Sequence, residues 1–226
     1  SHVMQVGFVN LGSGKYYLDA SGAMKTGWIL QDGNWYWAYP SGALASSWQT
    51  IGGTRYYFDS QTLAMFKGRH EIDGSTYIFG DYGLVNGWFK DGVDWYYCSN
   101  GIAVTGWQLV NGTWYYLDPA SDGKMSVGYL DLGNAAYYLN SNGAMAIGWA
   151  QSEDGWYFAS ESGALISGWY KEGVSWYYLD PASHLMKTGL FEVGGNDCFA
   201  NLSGRLVVSS WITVKDGVER YADGNG

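Results

Sequence analysis

The sequence of 226 residues is poor in charge, proline and cysteine, and it has no long apolar run. Charged residues make up 15% of the chain, three residues are proline and two are cysteine. No apolar stretch approaches the roughly 20 residues that a membrane-spanning helix requires. The formal net charge is -9, so the chain has no basic surface with which to neutralise nucleic acid. The composition therefore excludes a nucleic-acid partner and membrane insertion.

Residues that usually carry catalysis or bind metals are also scarce. His2 belongs to residues 1–4, which have the composition of an expression-tag remnant. His70 and His184 are distant in sequence, and no metal-binding or nucleophile motif surrounds either. Aspartates recur directly after aromatic segments, a position typical of turn capping: Asp19, Asp59, Asp118 and Asp180. We therefore predict that the chain is not an enzyme and has no catalytic residues, metal site or cofactor.

Glycine and aromatic residues are abundant instead, and they recur at a fixed interval. Ten of the thirteen tryptophans form pairs seven residues apart: Trp28/Trp35, Trp88/Trp95, Trp107/Trp114, Trp149/Trp156 and Trp169/Trp176. Repeats begin 19 to 22 residues apart, at Gly7, Gly27, Ser47, Gly68, Gly87, Gly106, Gly128, Gly148, Gly168, Gly189 and Ser210. This self-similarity predicts a single repeat array at residues 5–226, with ten full repeats and a truncated eleventh, cut from a larger protein.

Each repeat has the sequence pattern of a β-hairpin. A short strand opens with Gly-Trp, and a tight turn follows before an aromatic strand such as residues 114–117. The predicted turns are Asp32-Gly33, Asp73-Gly74, Asp91-Gly92 and Asn111-Gly112, residue types that tolerate positive φ. Alternation puts Trp114 and Tyr116 on one face of the strand, and Tyr115 and Leu117 on the other. Because a lone hairpin is marginal in water, we predict an all-β fold, an elongated β-solenoid of stacked hairpins.

The paired tryptophans vary along the array with a period of three repeats. Repeats 1, 4, 7 and 10 have no tryptophan at either position, whereas every other repeat keeps at least the first. An interior position would not be lost in every third repeat unless the array had threefold screw character. The pattern therefore predicts a rotation of about 120° per hairpin, with tryptophans on two of three edges.

The two cysteines, Cys98 and Cys198, replace strand residues five repeats apart. If stacked hairpins are spaced by roughly 10 Å, the two sulfurs lie tens of Å apart. A disulfide needs Cα atoms within about 7 Å. We therefore predict two free, buried thiols that act as small apolar side chains.

The segments 26–37 and 105–118, with Gly-Trp, Asp-Gly or Asn-Gly, and Trp-Tyr in fixed order, resemble the repeats of choline-binding modules. Such modules occur in surface proteins and phage lysins of Gram-positive bacteria, so the resemblance implies a secreted or cell-surface location. It also implies a left-handed β-solenoid that binds choline groups of teichoic acids between consecutive hairpins. In these modules two tryptophans of one repeat and an aromatic residue of the next form a cage, backed by Met or Leu.

Carried over repeat by repeat, the resemblance implies four full cages: Trp28, Trp35 and Tyr57; Trp88, Trp95 and Tyr116; Trp107, Trp114 and Tyr138; Trp149, Trp156 and Tyr178. Trp169 and Trp176 form a fifth candidate with Phe199, and Met125 and Met145 are candidate backing residues. The middle aromatic residue of each doublet is the alternative third ring, although its persistence in repeats without tryptophan favours a core role. The cations Lys15, Arg55 and Arg220 are assigned to second-tryptophan positions, where they should repel a cationic ligand.

Three functions are compatible with these residues. The first is a choline-binding anchor, with choline-decorated teichoic acid or another cell-surface glycopolymer as its partner. The second is a carbohydrate-binding repeat domain like those of glucan-binding proteins and clostridial toxins, because sugars also stack on tryptophan faces. The third is a structural stalk or adhesin spacer. Open sheet edges at both ends favour end-to-end or dimeric association.

Overall fold

Eleven antiparallel β-hairpins make up the computed structural model, which describes residues 4–12, 14–214, 217 and 219–224. Within those residues there is no α-helix, and a single 3-10 turn spans Pro119–Ser121. The all-β prediction is thereby confirmed, whereas the rotation of about 120° per hairpin stays a prediction. The tag-like segment lies outside the described residues except for Met4.

The hairpins are numbered 1 to 11 in chain order. Hairpins 1 to 5 pair Gly7–Leu11 with Gly14–Leu18, Gly27–Gln31 with Asn34–Ala38, Ser47–Ile51 with Thr54–Phe58, Gly68–Ile72 with Ser75–Gly80, and Gly87–Asp91 with Asp94–Ser99. Hairpins 6 to 11 pair Gly106–Val110 with Thr113–Asp118, Gly128–Asp131 with Ala136–Leu139, Gly148–Gln151 with Trp156–Ala159, Gly168–Glu172 with Ser175–Leu179, Gly189–Val193 with Asn196–Ala200, and Ser210–Thr213 with Glu219–Ala222. Two-residue strands lie at Gly83–Leu84, Ile102–Ala103 and Lys124–Met125.

The hairpins are divided between two compact units. The first contains the described residues up to Thr105 together with Pro119–Lys124, and so includes hairpins 1 to 5. The second contains Gly106–Asp118 and the described residues from Met125 onward, and so includes hairpins 6 to 11. The repeat plan is the same in both units.

Tight turns close the hairpins as the sequence predicts, with one shift of register. Asp32 and Gly33 have φ angles of 50° and 79°, as a type I′ turn requires at both central positions. In hairpin 5, Asp91 pairs with Asp94, so the turn residues are Gly92 and Val93 rather than Asp91 and Gly92. Gly92, at φ 61°, supplies the positive angle that this two-residue turn needs at its first position.

The interior of each compact unit is built from one position of the repeat, the apolar residue that ends the aromatic strand. It is at most 2% exposed in nine hairpins, at Ala38, Phe58, Phe79, Cys98, Leu117, Leu139, Ala159, Leu179 and Ala200. Both cysteines are free and buried, as predicted. Burial raises the pKa of the Cys98 thiol to about 11, so that thiol stays protonated at neutral pH.

Asp19, Asp59 and Asp180 cap loops, which confirms the structural role predicted for them. The Asp59 Oδ1 atom accepts hydrogen bonds from the backbone amides of Gln61 and Thr62 at 3.0 and 2.7 Å. Asp19 accepts a hydrogen bond from the Ser21 hydroxyl at 2.6 Å and further bonds from two loop amides. These bonds stabilise the ionised carboxylates, and they hold the pKa of Asp59 and of Asp19 below the usual range.

A repeated backbone hydrogen bond joins consecutive hairpins at six places within the two compact units. The amide of the apolar residue that follows a loop donates to the carbonyl at the second-tryptophan position of the preceding hairpin. Such bonds of 2.7 to 2.9 Å run from Leu44 to Lys15, Met65 to Trp35, Met145 to Trp114, Leu165 to Ala136, Met186 to Trp156 and Leu206 to Trp176. The bond therefore fixes the apolar side chain beside the tryptophan pair.

Candidate aromatic binding sites

Four of the five tryptophan pairs form two perpendicular walls. The ring centroids of Trp28 and Trp35 are 6.0 Å apart with planes at 88°, and those of Trp107 and Trp114 are 6.3 Å apart at 89°. The strand register explains the arrangement, because the two positions lie diagonally on one face of the hairpin. Trp88 with Trp95, and Trp169 with Trp176, have the same geometry.

The indoles keep part of their surface free. Trp28 is 38% exposed and Trp114 is 42% exposed, even though large aromatic side chains normally bury most of their area. Trp156, in hairpin 8, is 38% exposed. The ring faces are thus available to a ligand in both compact units.

The third ring comes from the middle aromatic residue of the next hairpin's doublet. Tyr56 lies 4.9 Å from Trp28, between ring centroids. Tyr137 lies 4.8 Å from Trp107, and Tyr177 lies 4.8 Å from Trp149. Tyr56 and Tyr177 are buried at 9% and 6% exposure, so these rings contribute to the interior and to the cluster at once.

The third rings predicted from the sequence, Tyr57, Tyr116, Tyr138 and Tyr178, lie on their own hairpins and not against the tryptophan pair of the preceding hairpin. Tyr57 lies 5.2 Å from Trp48 of its own hairpin, Tyr116 lies 5.2 Å from Trp107 of its own hairpin, and Tyr178 lies 5.0 Å from Trp169. Tyr138 is likewise paired across its hairpin with Tyr129. Alternation puts these residues on the tryptophan face of their own hairpin, whereas the middle tyrosine projects from the opposite face, toward the preceding hairpin.

Three cavities open at these clusters, and we call them notches 1, 2 and 3. Notch 1 has a volume of about 370 Å³ and is lined by Trp28, Trp35, Tyr56, Met65, Asp81 and Tyr82. Notch 2, of about 310 Å³, is lined by Trp107, Trp114, Tyr137, Met145 and Ser162. Notch 3, of about 480 Å³, is lined by Trp149, Trp156, Tyr177, Met186, Leu202 and Ser203. Each notch draws residues from three successive hairpins, and each is large enough for a small ligand.

A methionine forms the floor of each notch. Met145 lines notch 2, where the sequence placed a backing residue, and Met65 and Met186 hold the same position in notches 1 and 3. A Cβ atom on Gly163 would overlap the sulfur of Met145, and Gly163 has a φ of +83°. Met125 packs on Gly143 in the same way. The recurrence of Met directly after a loop could have identified Met65 and Met186 from the sequence.

The charge around the notches is not uniform. Asp81 lines notch 1 and also pairs with Lys67 through an Nζ–Oδ1 contact of 2.7 Å. At notch 3, Arg205 Nε donates a hydrogen bond to the Tyr177 hydroxyl at 3.3 Å. None of the described residues that line notches 1 and 2 is cationic. Asp81 and Tyr82 lie in the loop before Gly83, and sequence reasoning missed both.

The pair Trp169 and Trp176 has a different neighbourhood. Cys198 occupies the middle-aromatic position of the next hairpin, and it lines a cavity of about 540 Å³ together with Trp169 and Phe199. Asp197 and Arg220 line the same cavity and form an ion pair of 2.8 Å. The register pairs Arg220 with Ile212, so Arg220 stands at a middle-aromatic position and not at the second-tryptophan position predicted for it.

Two other kinds of feature are absent from the described part of the chain. It contains no group of three or more His, Cys, Asp or Glu side chains that could hold a metal ion. It also contains no helix long and apolar enough to cross a membrane. The aromatic clusters remain as the recurring feature with free surface.

Two family models match the chain. The choline-binding repeat matches residues 85–129. The "Putative cell wall binding repeat" matches residues 6–24, 26–44, 46–61, 130–145 and 167–181. The matched segments are spread over both compact units and together cover more than half of the chain.

Solved structures and a curated protein are also similar. CbpJ from Streptococcus pneumoniae TIGR4 is 30% identical, with 97% of this chain and 92% of that chain covered and a TM-score of 0.76. Choline binding protein F from S. pneumoniae, solved in the presence of a peptidoglycan analogue, is 29% identical, with 97% and 91% covered and a TM-score of 0.74. Glucosyltransferase-S of Streptococcus mutans serotype c is 34% identical over 125 residues, which are 52% of this chain and 8% of that protein. The repeat pattern, the hairpin fold and these likenesses together show that the chain belongs to the choline-binding repeat family of cell-wall-binding modules.

Proposed function

We propose that the chain is a non-catalytic module that binds choline groups of a bacterial cell-surface polymer in notches 1, 2 and 3. The proposed polymer is choline-decorated teichoic acid, and the proposed location is secreted or attached to the cell surface. Three rings around an open space, found three times in the described chain, carry this proposal. Trp88 with Trp95, and Trp169 with Trp176, remain candidate ligand-binding residues because their walls have the same geometry.

The chemistry of the notch fits a quaternary ammonium ion. Such an ion cannot donate hydrogen bonds, and its charge is attracted to the faces of aromatic rings by about 0.5–2 kcal/mol per contact. Perpendicular indoles and a third ring meet its methyl groups from several sides. The acidic balance of the chain, with a net charge of -9, adds a long-range attraction for cations.

Several weak sites on one chain suit a polymeric partner. A notch with three ring contacts gives modest affinity, but a polymer that carries many choline groups can occupy several notches at once. The second binding event is then intramolecular, and the overall affinity exceeds that of any single notch. Peptidoglycan-related ligands are named for the similar choline binding protein F, which supports a cell-wall polymer as the class of partner.

Carbohydrate binding is the second candidate, and the likeness to Glucosyltransferase-S favours it. Sugars stack on tryptophan faces but also need hydrogen-bonding groups at the rim. In notch 2, Ser162 is the one lining side chain, among those described, that is neither apolar nor aromatic. This poverty of polar groups favours choline over a sugar at notch 2.

A titration with a matched pair of ligands tests the proposal. Choline and its neutral isostere 3,3-dimethylbutan-1-ol have the same shape but differ in charge. We expect choline to cause a saturable change in tryptophan fluorescence, and the neutral isostere to bind at least about fivefold more weakly. The double variant Trp107→Ala with Trp114→Ala should lose the part of the change that comes from notch 2. Trp211→Ala, which removes an unpaired tryptophan, serves as the control.

The same assay separates the alternatives. Equal affinity for the two isosteres would refute recognition of the cation. A response to a panel of soluble glucans, with silence toward choline, would select carbohydrate binding. Silence toward every ligand would leave a structural spacer.

A further inference from the structure

We call the junction between two consecutive hairpins a step. The step between hairpins 3 and 4 has aromatic residues at the same positions as a notch, but it also contains an arginine. Hairpin 3 supplies Trp48 at the first-tryptophan position, and hairpin 4 supplies Tyr77, whose ring centroid is 5.0 Å from that of Trp48. Arg55 stands at the second-tryptophan position, paired across the hairpin with Thr50. Its guanidinium carbon lies 4.2 Å from the centroid of the Trp48 ring, within the range of a cation–π contact.

We propose that Arg55 is a built-in cationic occupant of a fourth aromatic site, formed by Trp48 and Tyr77. We call this group of three residues the self-filled step. In the native chain the guanidinium holds the ring face that a quaternary ammonium ligand uses in the notches. Replacing Arg55 by an aromatic residue opens the site to such a ligand. This inference rests on the proposed function, because it assigns a further site for the same class of ligand.

A second step of the same compact unit repeats the arrangement. Arg69 stands at the first-tryptophan position of hairpin 4, and its guanidinium carbon lies 4.6 Å from the ring centroid of Tyr96. Tyr96 is the middle aromatic residue of hairpin 5. Here too a cation of the chain lies over the ring that completes the cluster. Two arginines at different positions of the repeat thus reach the same kind of location.

At one step of the second compact unit, charged residues replace aromatic residues at two positions. At the step between hairpins 10 and 11, Asp197 replaces the second tryptophan and Arg220 replaces the middle aromatic residue. Their ion pair of 2.8 Å joins consecutive hairpins without any ring. Internal cations therefore recur at steps that lack a full tryptophan pair. Lys90 and Lys171 also lie near rings of full pairs, 5.7 and 5.4 Å from the centroids of Trp95 and Trp176, but at longer distances than Arg55 and Arg69. The described linings of notches 1 and 2 contain no cation.

Charge and shape explain why an arginine suits the self-filled step. A planar guanidinium stacks on a ring, carries its charge at every relevant pH, and has a long stem that covers apolar surface. A ligand would have to displace this cation and would meet its repulsion while doing so. We therefore expect no choline binding at Trp48 at concentrations that saturate notch 1.

Fluorine NMR of a chain labelled with 5-fluorotryptophan tests the inference residue by residue. The resonances of Trp48 and Trp28 are assigned from the Trp48→Phe and Trp28→Phe variants. In the native chain, choline should shift the Trp28 resonance and leave Trp48 in place. In Arg55→Trp, the Trp48 resonance should titrate with a half-saturation within about threefold of that of Trp28. Arg55→Phe gives a second aromatic variant with a smaller ring.

Two further variants separate the ring contact from the loss of charge. Arg55→Gln should move the Trp48 resonance without any ligand, because the cation leaves the ring face. Lys25→Gln removes one positive charge elsewhere and should leave that resonance unchanged. Circular dichroism and thermal melting confirm that each variant is folded.

The possible outcomes distinguish this inference from the proposed function. If Trp28 does not respond to choline in the native chain, the proposed function fails and the inference fails with it. If Trp28 responds but Trp48 stays silent in both folded aromatic variants, the inference alone is overturned. A native Trp48 resonance that titrates together with Trp28 would also overturn it, since Arg55 would then block nothing.

Discussion

Notch 1 and the self-filled step meet in the same hairpin, yet one is open and the other is occupied by the chain itself. Arg55 and Tyr56 are adjacent in hairpin 3, and alternation turns them to opposite faces. Tyr56 lies against Trp28 of the preceding hairpin, whereas Arg55 lies over Trp48 of its own hairpin. The two steps thus differ chiefly at one position of the repeat, where Trp35 is replaced by Arg55.

The comparison separates the parts of the repeat that maintain the fold from the part that selects the ligand. Both steps keep a middle tyrosine, Tyr56 or Tyr77, and a fully buried phenylalanine, Phe58 or Phe79. These residues pack the hairpins together whether or not a tryptophan pair is present. The second-tryptophan position can therefore change without loss of the stack, and it decides whether a ligand enters.

The largest expected effect is a loss of stability when a glycine that packs against the apolar residue beneath a step is replaced. Gly163 lies under Met145 at notch 2, and Gly101 lies under Leu84 in the first compact unit; both have positive φ. Alanine at Gly163 combines an unfavourable backbone with overlap on Met145, so we expect a loss of about 2–4 kcal/mol in the free energy of unfolding. Urea unfolding of the variant and of the native chain measures it.

Gly168 provides the matched control for this prediction. Its φ of +80° nearly equals that of Gly163, but no atom lies within 4 Å of an added Cβ. Gly168→Ala should therefore show only the backbone cost, about 1–2 kcal/mol. Equal losses in the two variants would mean that the packing of Met145 on Gly163 contributes nothing.

The next effect concerns which tyrosine belongs to the open notch. Tyr56→Leu keeps an apolar residue but removes a ring beside Trp28, so choline affinity at notch 1 should fall by about 0.5–2 kcal/mol, or about two- to thirtyfold. Tyr57→Leu changes the neighbour of Trp48 and should leave affinity at notch 1 unchanged. The Trp28 fluorine resonance reports both titrations. A larger loss in Tyr57→Leu would restore the assignment made from sequence.

A smaller effect is expected from the rim, where notches 1 and 2 differ. Tyr82 lines notch 1, and Ser162 holds the corresponding place in notch 2. Tyr82→Ser should weaken choline binding at notch 1 by about two- to fivefold, the value of one exposed ring. Ser162→Tyr should strengthen notch 2 by a similar factor. Calorimetric or fluorine NMR titration of the exchanged pair measures both changes, and an unchanged affinity in both would exclude the rim from binding.

The smallest expected effect is a pH dependence of stability that arises from the loop before Met65, the floor residue of notch 1. The folded-state pKa of Asp59 is depressed below 3.8, so its contribution to stability is present at neutral pH and is lost as pH falls through the folded-state pKa. Asp59→Asn should keep the turn, because Asn201 caps an equivalent loop through its side-chain oxygen. That variant should lose less stability on acidification than the native chain does.

Unfolding measured between about pH 2 and pH 7 checks this last prediction. Asp59→Ala removes the acceptor and should destabilise the loop throughout that range. Asn201→Asp should introduce the acid sensitivity at the other loop. Parallel acid profiles in the native chain and in Asp59→Asn would show that the Asp59 carboxylate plays no part.

The geometry within one repeat could be predicted from the sequence because it depends on residues that are close together in the chain. The spacing of Gly-Trp and Trp-Tyr predicted the hairpins, and alternation along residues 114–117 put Trp114 and Leu117 on opposite faces. In the structure Leu117 is buried and Trp114 keeps free surface. The capping role of the loop aspartates followed from the same local reasoning. Each of these inferences concerns contacts within one repeat.

Relations between hairpins could not be read in the same way. Alternation assigns Tyr56 and Tyr57 to opposite faces, but stacking sets which face meets the preceding hairpin. In the structure Tyr56, and not Tyr57, lies against Trp28. Arg220 was misassigned because the longer connection between Thr213 and Glu219 shifts the register of hairpin 11. The sequence did not predict the contact of Arg55 with Trp48. A cation at the second-tryptophan position predicted only that a cationic ligand would be repelled there.

The backbone bond from Met145 to Trp114, and the packing of Met145 on Gly163, tie notch 2 to three consecutive hairpins. No single repeat can therefore be transplanted as a working receptor, and the smallest portable fragment spans three. Gain or loss of one repeat would change which hairpins complete the neighbouring sites. Variation in ligand capacity is consequently easier to reach by exchanging a single side chain, tryptophan for arginine, than by adding or deleting a hairpin.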